Sequence, residues 1–140
     1  MNRFTRELHD FGQRLWLDHI SRPLLRSGTL QRYIDELSIT GLTSNPTIFE
    51  QAFGSDAYDA GISALGGRGL AGEALYFELA LEDLTQAADL FRPTFDASNG
   101  ADGWVSMEVS PLLAADTPGT VAAATALHAR AARDNLFIKI

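Results

Sequence analysis

Hydrophobic residues recur at helical spacing in several stretches of the chain. The predicted helices cover residues 4–11, 27–37, 46–65 with a break, 70–92 and 116–135. We expect Gly12 to stop the first helix and Pro93 to end the longest one, because proline disrupts a helix interior. Thr117 is predicted to cap the last helix, with Asn135 near its end.

Four short runs rich in apolar and β-branched residues lie between these helices. They read "RLWLD", "SITGLTSNP", "ADGWVSMEVSP" and "LFIKI". Each has the length and the flanking turn residues of a strand. Because strands and helices alternate four times, the pattern predicts an α/β fold with a parallel sheet, in a single domain over residues 1–140.

Alternation within the strands predicts one apolar and one polar face. In "WVSMEV", Val105 and Met107 point one way, and Ser106 and Glu108 point the other way. In "LFIKI", Lys139 lies on the face opposite the two isoleucines. The apolar faces suit packing under helices, and the other faces become polar toward the carboxyl ends. In a parallel barrel the active site lies at those ends.

One polar residue near the carboxyl end of each strand defines a candidate site. The four residues are Asp18, Asn45, Glu108 and Lys139. Taken singly, each has a structural alternative. Asp18 fits a helix cap or a surface charge, and Asn45 before proline fits a turn. Glu108 fits a buried pair with an arginine, and Lys139 fits a salt bridge with Glu108. Four such residues at matching positions favour a shared site.

The chemistry of the candidate site centres on Lys139, the only lysine of the sequence. Burial in an apolar environment favours the neutral amine, which attacks carbonyls and forms a Schiff base. Two nearby carboxylates can move the protons that this chemistry requires, and Asn45 can orient a hydroxyl or carbonyl group. No organic cofactor is needed. The three histidines show no metal-ligand spacing, so we expect no metal site.

Composition narrows the class of partner. The 140 residues carry a formal charge of -7, which argues against nucleic acid or an anionic membrane surface as the main partner. The sequence has no cysteine, and its charged start does not resemble a secretory signal. No apolar run approaches membrane-spanning length. A cytoplasmic protein that acts on small molecules is the expectation.

Four motifs give the sequence a strong resemblance to the bacterial transaldolases. They are "LWLDHISR", "GLTSNPTIFEQAF", "DGWVSMEVSPLLAADT" and "NLFIKI", in the order and spacing of that family. The resemblance implies a cofactor-free (β/α)8 barrel of the pentose phosphate pathway. Such enzymes transfer a dihydroxyacetone unit from a ketose phosphate (sedoheptulose 7-phosphate or fructose 6-phosphate) to an aldose phosphate (glyceraldehyde 3-phosphate or erythrose 4-phosphate).

The same resemblance implies a role for each candidate residue. Lys139 matches the Schiff-base lysine, and Glu108 the carboxylate that works through a catalytic water. Asp18 matches the acid–base residue of the first strand. Asn45 matches the residue that holds the dihydroxyacetone unit, and Thr43 lies beside it as a further substrate-binding residue.

The sequence departs from the family pattern in one respect. The second half of the barrel, with the phosphate-binding site, has no counterpart, so we expect the first four βα units preceded by an N-terminal helix. Two alternatives stay open: a related aldolase that uses dihydroxyacetone, and a catalytically incomplete half-barrel that acts as an assembly module. An open sheet would also leave two bare edges, which favours a homo-oligomer.

Overall fold

The structure, a computed structural model, describes residues 2–140 and contains a four-stranded parallel sheet flanked by helices. The strands are β1 (Leu15–Leu17), β2 (Ile39–Leu42), β3 (Trp104–Glu108) and β4 (Leu136–Lys139). The helices are α1 (Arg3–Asp10), α2 (Arg22–Arg26), α3 (Thr29–Leu37), α4 (Pro46–Phe53), α5 (Asp59–Gly67), α6 (Gly72–Ala97) and α7 (Thr117–Ala131). Short 3-10 turns cover Asp56–Tyr58 and Pro111–Leu113. The predicted α/β alternation is confirmed.

The strands pair in chain order, β1-β2-β3-β4, and every pair is parallel. Parallel neighbours require a crossover, and here helices supply each one. Because the order is sequential, β1 and β4 form the two edges of the sheet in the described part of the chain. The register between β3 and β4 places Glu108 directly beside Lys139.

One face of the sheet packs under the helices and forms the core. The predicted apolar face of β3 is buried there, with Val105 and Met107 almost wholly inaccessible. They join one cluster with Leu136 of β4 and with Leu84 and Phe91 of α6. Each such side chain contributes roughly 1.5–3 kcal/mol through burial. The core therefore fixes which face of every strand is left for polar residues.

Helix α6 continues through Pro93 to Ala97, so the prediction that Pro93 ends this helix is wrong. Pro93 is exposed, and water can hydrogen-bond the Asp89 carbonyl that loses its partner. The last turn is held by packing instead: the Phe95 ring meets Trp104 edge-on at 5.0 Å. A side chain at Gly103 would overlap the backbone of Phe95, so the loop before β3 closes tightly against this turn.

The observed cap of helix α7 lies one residue before the predicted one. The side chain of Asp116, not that of Thr117, accepts a hydrogen bond from the Gly119 amide at 2.9 Å. Asn135 also lies outside this helix, which ends at Ala131. Its buried amide nitrogen donates to the carbonyls of Ala88 and Gly103 and thereby fixes the entry into β4. Aspartate is also preferred over threonine at the N-cap position of helices.

Two helical features near the N-terminus complete the description. α1 confirms the first predicted helix, but its apolar residues Phe4 and Leu8, and Phe11 directly after it, are exposed. α2 is a short helix that the periodicity did not predict, because five residues are too few to display a pattern. Ser21 caps it, and it carries a buried Arg22 toward the core.

Candidate active site

The carboxyl edge of the sheet brings Lys139 and Glu108 into contact. Their Nζ and Oε1 atoms lie 2.7 Å apart, on adjacent strands in register. The Lys139 side chain is 41% exposed and the Glu108 side chain 29% exposed. The salt bridge considered as an alternative for Lys139 is thus present. A direct carboxylate neighbour also gives the amine a proton acceptor, which a nucleophilic role requires.

Two further oxygens surround the amine of Lys139. Nζ lies 3.4 Å from Thr43 Oγ1 and 3.5 Å from the carbonyl oxygen of Ser44. An ammonium group has three protons, and Glu108, Thr43 and Ser44 offer one acceptor each. The expectation that Lys139 is buried in an apolar pocket is wrong for the described residues. β4 is an edge strand of the sheet formed by residues 2–140.

Thr43 lies directly after Leu42, the last residue of β2, and its backbone still pairs with β1. This pairing brings its side chain close to Lys139. The Thr43 amide donates to the Leu17 carbonyl at 2.9 Å and continues the ladder with β1. Its side chain then lies within reach of the Lys139 amine. The structure therefore brings three predicted residues together: Lys139, Glu108 and Thr43.

Asn45 occupies the cap of α4. Its Oδ1 accepts a hydrogen bond from the Ile48 amide at 2.9 Å, and Pro46 follows in the first turn. The structural alternative for Asn45 is therefore met, although it leaves the side-chain nitrogen without a partner among the described residues. That nitrogen is a donor available to a ligand hydroxyl. Capping also holds the side chain in one orientation.

Asp18 lies at the same edge but apart from the Lys139 pair. It follows β1 directly, and its side chain is exposed. It forms no hydrogen bond or ion pair with another residue that the structure describes. Trp16, two residues earlier in the chain, lies against Phe137 of β4.

Sequence reasoning missed two side chains next to this site. Ser106 is buried, and its Oγ lies 3.1 Å from Thr43 Oγ1. Its signal was present, because Ser106 shares the polar face with Glu108. Tyr76 gave no such signal, since a helical aromatic residue usually belongs to the core. Burial first, and the negative charge of Glu108 second, raise the pKa of Tyr76 to about 12, so its hydroxyl keeps its proton at neutral pH.

Between residues 2 and 140, no three His, Asp or Glu side chains are grouped in a way that could hold a metal ion. None of the helices in that range combines the length and apolar character needed to cross a bilayer.

Comparison with known proteins gives a consistent result. The family model described as transaldolase/fructose-6-phosphate aldolase matches residues 15–140. A transaldolase of Thermobifida fusca (strain YX) is 47% identical over 135 residues, which are 96% of this chain and 37% of the relative. A transaldolase of Arthrobacter sp. (strain FB24) is 44% identical over 137 residues, 97% of this chain and 37% of the relative. The chain thus spans little more than a third of the length of these relatives.

Proposed function

Because the chain belongs to the transaldolase/fructose-6-phosphate aldolase family, we propose that it provides the Schiff-base centre of a transaldolase. The reaction moves a dihydroxyacetone unit from sedoheptulose 7-phosphate or fructose 6-phosphate to glyceraldehyde 3-phosphate or erythrose 4-phosphate. The observation that carries this proposal is the pair of Lys139 Nζ and Glu108 Oε1, 2.7 Å apart at the carboxyl edge of the sheet. The curated relatives named above are transaldolases, which favours transfer over simple aldol cleavage.

In the proposed mechanism Glu108 first takes a proton from the Lys139 ammonium. The neutral amine attacks the ketose carbonyl at C2, and loss of the former carbonyl oxygen as water leaves a protonated imine on Nζ. Glu108, acting directly or through this water, supplies the proton that the departing oxygen needs. Its distance of 2.7 Å from Nζ places it within reach of both transfers.

The imine then draws electrons from the C3–C4 bond. Asp18 accepts the proton of the C4 hydroxyl, the bond breaks, and the aldose leaves with its new carbonyl group. The three-carbon enamine stays on Lys139 until it adds to the carbonyl carbon of the acceptor, whose oxygen takes the proton back from Asp18. Water finally hydrolyses the imine and restores the amine. Every proton is returned, so no organic cofactor or metal takes part.

Asn45 and Thr43 hold the dihydroxyacetone unit in this proposal. Asn45 uses Oδ1 to cap α4, so its Nδ2 is the group directed at a substrate hydroxyl. Thr43 contacts Nζ and therefore lies next to the carbon that Lys139 attacks. Asn45 is held by its cap of α4 and Thr43 by its backbone hydrogen bond to Leu17 of β1, which lowers the entropic cost of orienting the substrate.

Several wider features belong to the same proposal. The four βα units correspond to the first half of a (β/α)8 barrel, and the phosphate-binding residues are expected elsewhere in the barrel. The enzyme would act in the cytoplasm within the pentose phosphate pathway. The two bare strand edges of residues 1–140 support self-association of this chain.

Trapping the imine tests the proposed function directly. The chain is incubated with fructose 6-phosphate and borohydride and then examined by mass spectrometry. We expect one reduced adduct, located on Lys139. Lys139→Ala and Lys139→Arg should give none, because arginine stays protonated and cannot form an imine. An adduct that persists in Lys139→Arg would contradict the assignment. A folded chain that forms no adduct would favour the assembly-module alternative.

A further inference from the structure

A buried hydroxyl lies behind the Lys139 pair and has no part in the mechanism above. Ser106 is only 1% exposed, and its Oγ donates to Thr43 Oγ1 at 3.1 Å. Thr43 Oγ1 is also the acceptor that Lys139 Nζ approaches at 3.4 Å. The hydroxyls of Ser106 and Thr43 and the amine of Lys139 therefore form a series of hydrogen bonds that leads from the interior of the sheet to the amine.

The number of hydrogen bonds that the Thr43 hydroxyl can form decides which groups donate and which accept in this series. A hydroxyl oxygen has two lone pairs and one proton, and its proton rotates to suit its partners. Donation from Ser106 occupies one lone pair, which leaves the other for an N–H of Lys139. It also turns the Thr43 proton away from Nζ. Without Ser106 the Thr43 hydroxyl could rotate and lose the acceptor position that faces the amine.

The position of Ser106 is itself well fixed. The hydroxyl of Ser44, also buried, donates to the Ser106 carbonyl at 2.9 Å. The register of β3 and β4 pairs Ser106 with Phe137, one step below the Glu108 and Lys139 pair. A rigid donor on a central strand suits a positioning role better than a mobile surface hydroxyl would.

We propose that Ser106 is a positioning residue for Schiff-base formation, which acts by locking the Thr43 hydroxyl as an acceptor for Lys139. This inference rests on the proposed function in one respect, the identity of Lys139 as the nucleophile. Ser106 itself touches neither substrate nor the reacting atoms. Its loss should slow attack by the amine and leave ketose binding nearly unchanged.

The kinetic test is a double-mutant cycle of Ser106 and Thr43 in the 140-residue chain. Ser106→Ala should lower the maximal rate of borohydride trapping about 3- to 10-fold, the range expected when one hydrogen bond of this kind is lost, with little change in half-saturation by fructose 6-phosphate. Thr43→Val removes the intermediate group. Adding Ser106→Ala to Thr43→Val should then cost nothing further, because the path is already broken.

Two controls separate positioning from packing. Ser98→Ala removes a hydroxyl that bonds the carbonyls of Phe95 and Asp102, before β3 begins, and should leave trapping unchanged. Ser106→Cys keeps the shape of serine with a somewhat larger sulfur atom, but it donates weakly, so it should behave like Ser106→Ala. A cysteine variant with the wild-type rate, or additive effects of Thr43→Val and Ser106→Ala, would overturn the inference.

A second readout does not depend on enzymatic activity. Because Lys139 is the only lysine, selective [15N]lysine labelling gives one side-chain amine resonance without any assignment step. We expect Ser106→Ala to shift this resonance in the wild-type background but not in the Thr43→Val background, and Ser98→Ala to leave it in place. An unshifted resonance in Ser106→Ala refutes the positioning role. Absence of trapping in the wild-type chain, by contrast, refutes only the proposed function.

Discussion

The buried Arg22 offers a strong test of what holds this fold together. Its guanidinium group donates to Asp83 at 3.1 Å and to Glu82 at 2.6 Å. The same group lies 4.6 Å from the centre of the Tyr58 ring. Through these contacts α2 is tied to the middle of α6. We consider the change Arg22→Met, which keeps a long apolar stem and removes the charge.

The expected loss of unfolding free energy follows from the buried Asp83 carboxylate, which keeps its charge but loses its cationic partner. Asp83 is wholly buried, and after the change only the Tyr58 hydroxyl, at 2.6 Å, still serves its carboxylate. Removing one partner of a buried ion pair typically costs about 3–5 kcal/mol of unfolding free energy. The pair with the half-exposed Glu82 adds at most about 1 kcal/mol because solvent screens it. We therefore expect Arg22→Met to lose about 3–6 kcal/mol of unfolding free energy near neutral pH.

The loss should depend on pH in a definite direction. Burial raises the pKa of Asp83, against the opposing hydrogen bonds from Tyr58 and Arg22. A carboxyl group with a raised pKa in the folded state stabilises the protein below its unfolded pKa of about 3.9, and this contribution is lost as pH rises. Removing Arg22 raises the pKa of Asp83 further. The destabilisation should thus be larger at pH 7 than at pH 5.

Urea unfolding followed by circular dichroism measures these differences. Arg130→Met serves as the matched control, since Arg130 also pairs with an acid of α6, but both side chains are substantially exposed. The control should lose less than about 1 kcal/mol. An Arg22→Met variant as stable as this control, or one destabilised more at pH 5 than at pH 7, would refute the reasoning.

Two further predictions concern the site and the sheet edges. Glu108→Gln should lower the rate of imine trapping more than it weakens binding of fructose 6-phosphate, because a proton acceptor acts in the transition state; a change in half-saturation alone would make Glu108 a binding residue only. Purified residues 1–140 should self-associate in light scattering through β1 and β4 and the exposed Trp16 and Phe137, whereas a monomer at all concentrations would show that the edges are protected.

Much of the site could be predicted because strand alternation has a fixed period. The apolar residues that alternate with Glu108 and Lys139 along β3 and β4 indicate which face of the sheet is buried. The parallel register then places Glu108 and Lys139 side by side on the other face. Thr43 was expected at the site from the family resemblance, and it lies 3.4 Å from the Lys139 amine. Ser106 was equally accessible to the argument from alternation, but a small hydroxyl within an apolar run attracts less notice than a charge.

Other features depend on contacts between distant segments and leave no local pattern. Arg22 and Asp83 are 61 positions apart, so the local sequence around either residue gives no indication of the other. By local propensity alone Pro93 indicates the end of a helix. The packing of Phe95 against Trp104 stabilises the last turn of α6 beyond it. The partial exposure of Lys139 has a similar origin, since it reflects the edge position of β4 rather than the apolar residues around the lysine.

The aromatic residues beneath the site follow from the same alternation as the site itself. Trp16 lies two residues before Asp18, and Phe137 two residues before Lys139, so each aromatic ring occupies the same face one layer lower. The rings of Trp16 and Phe137 meet at 6.1 Å. Between them β2 carries Gly41, where any side chain would overlap the Trp16 ring. The glycine is therefore required by the close approach of the Trp16 ring to β2.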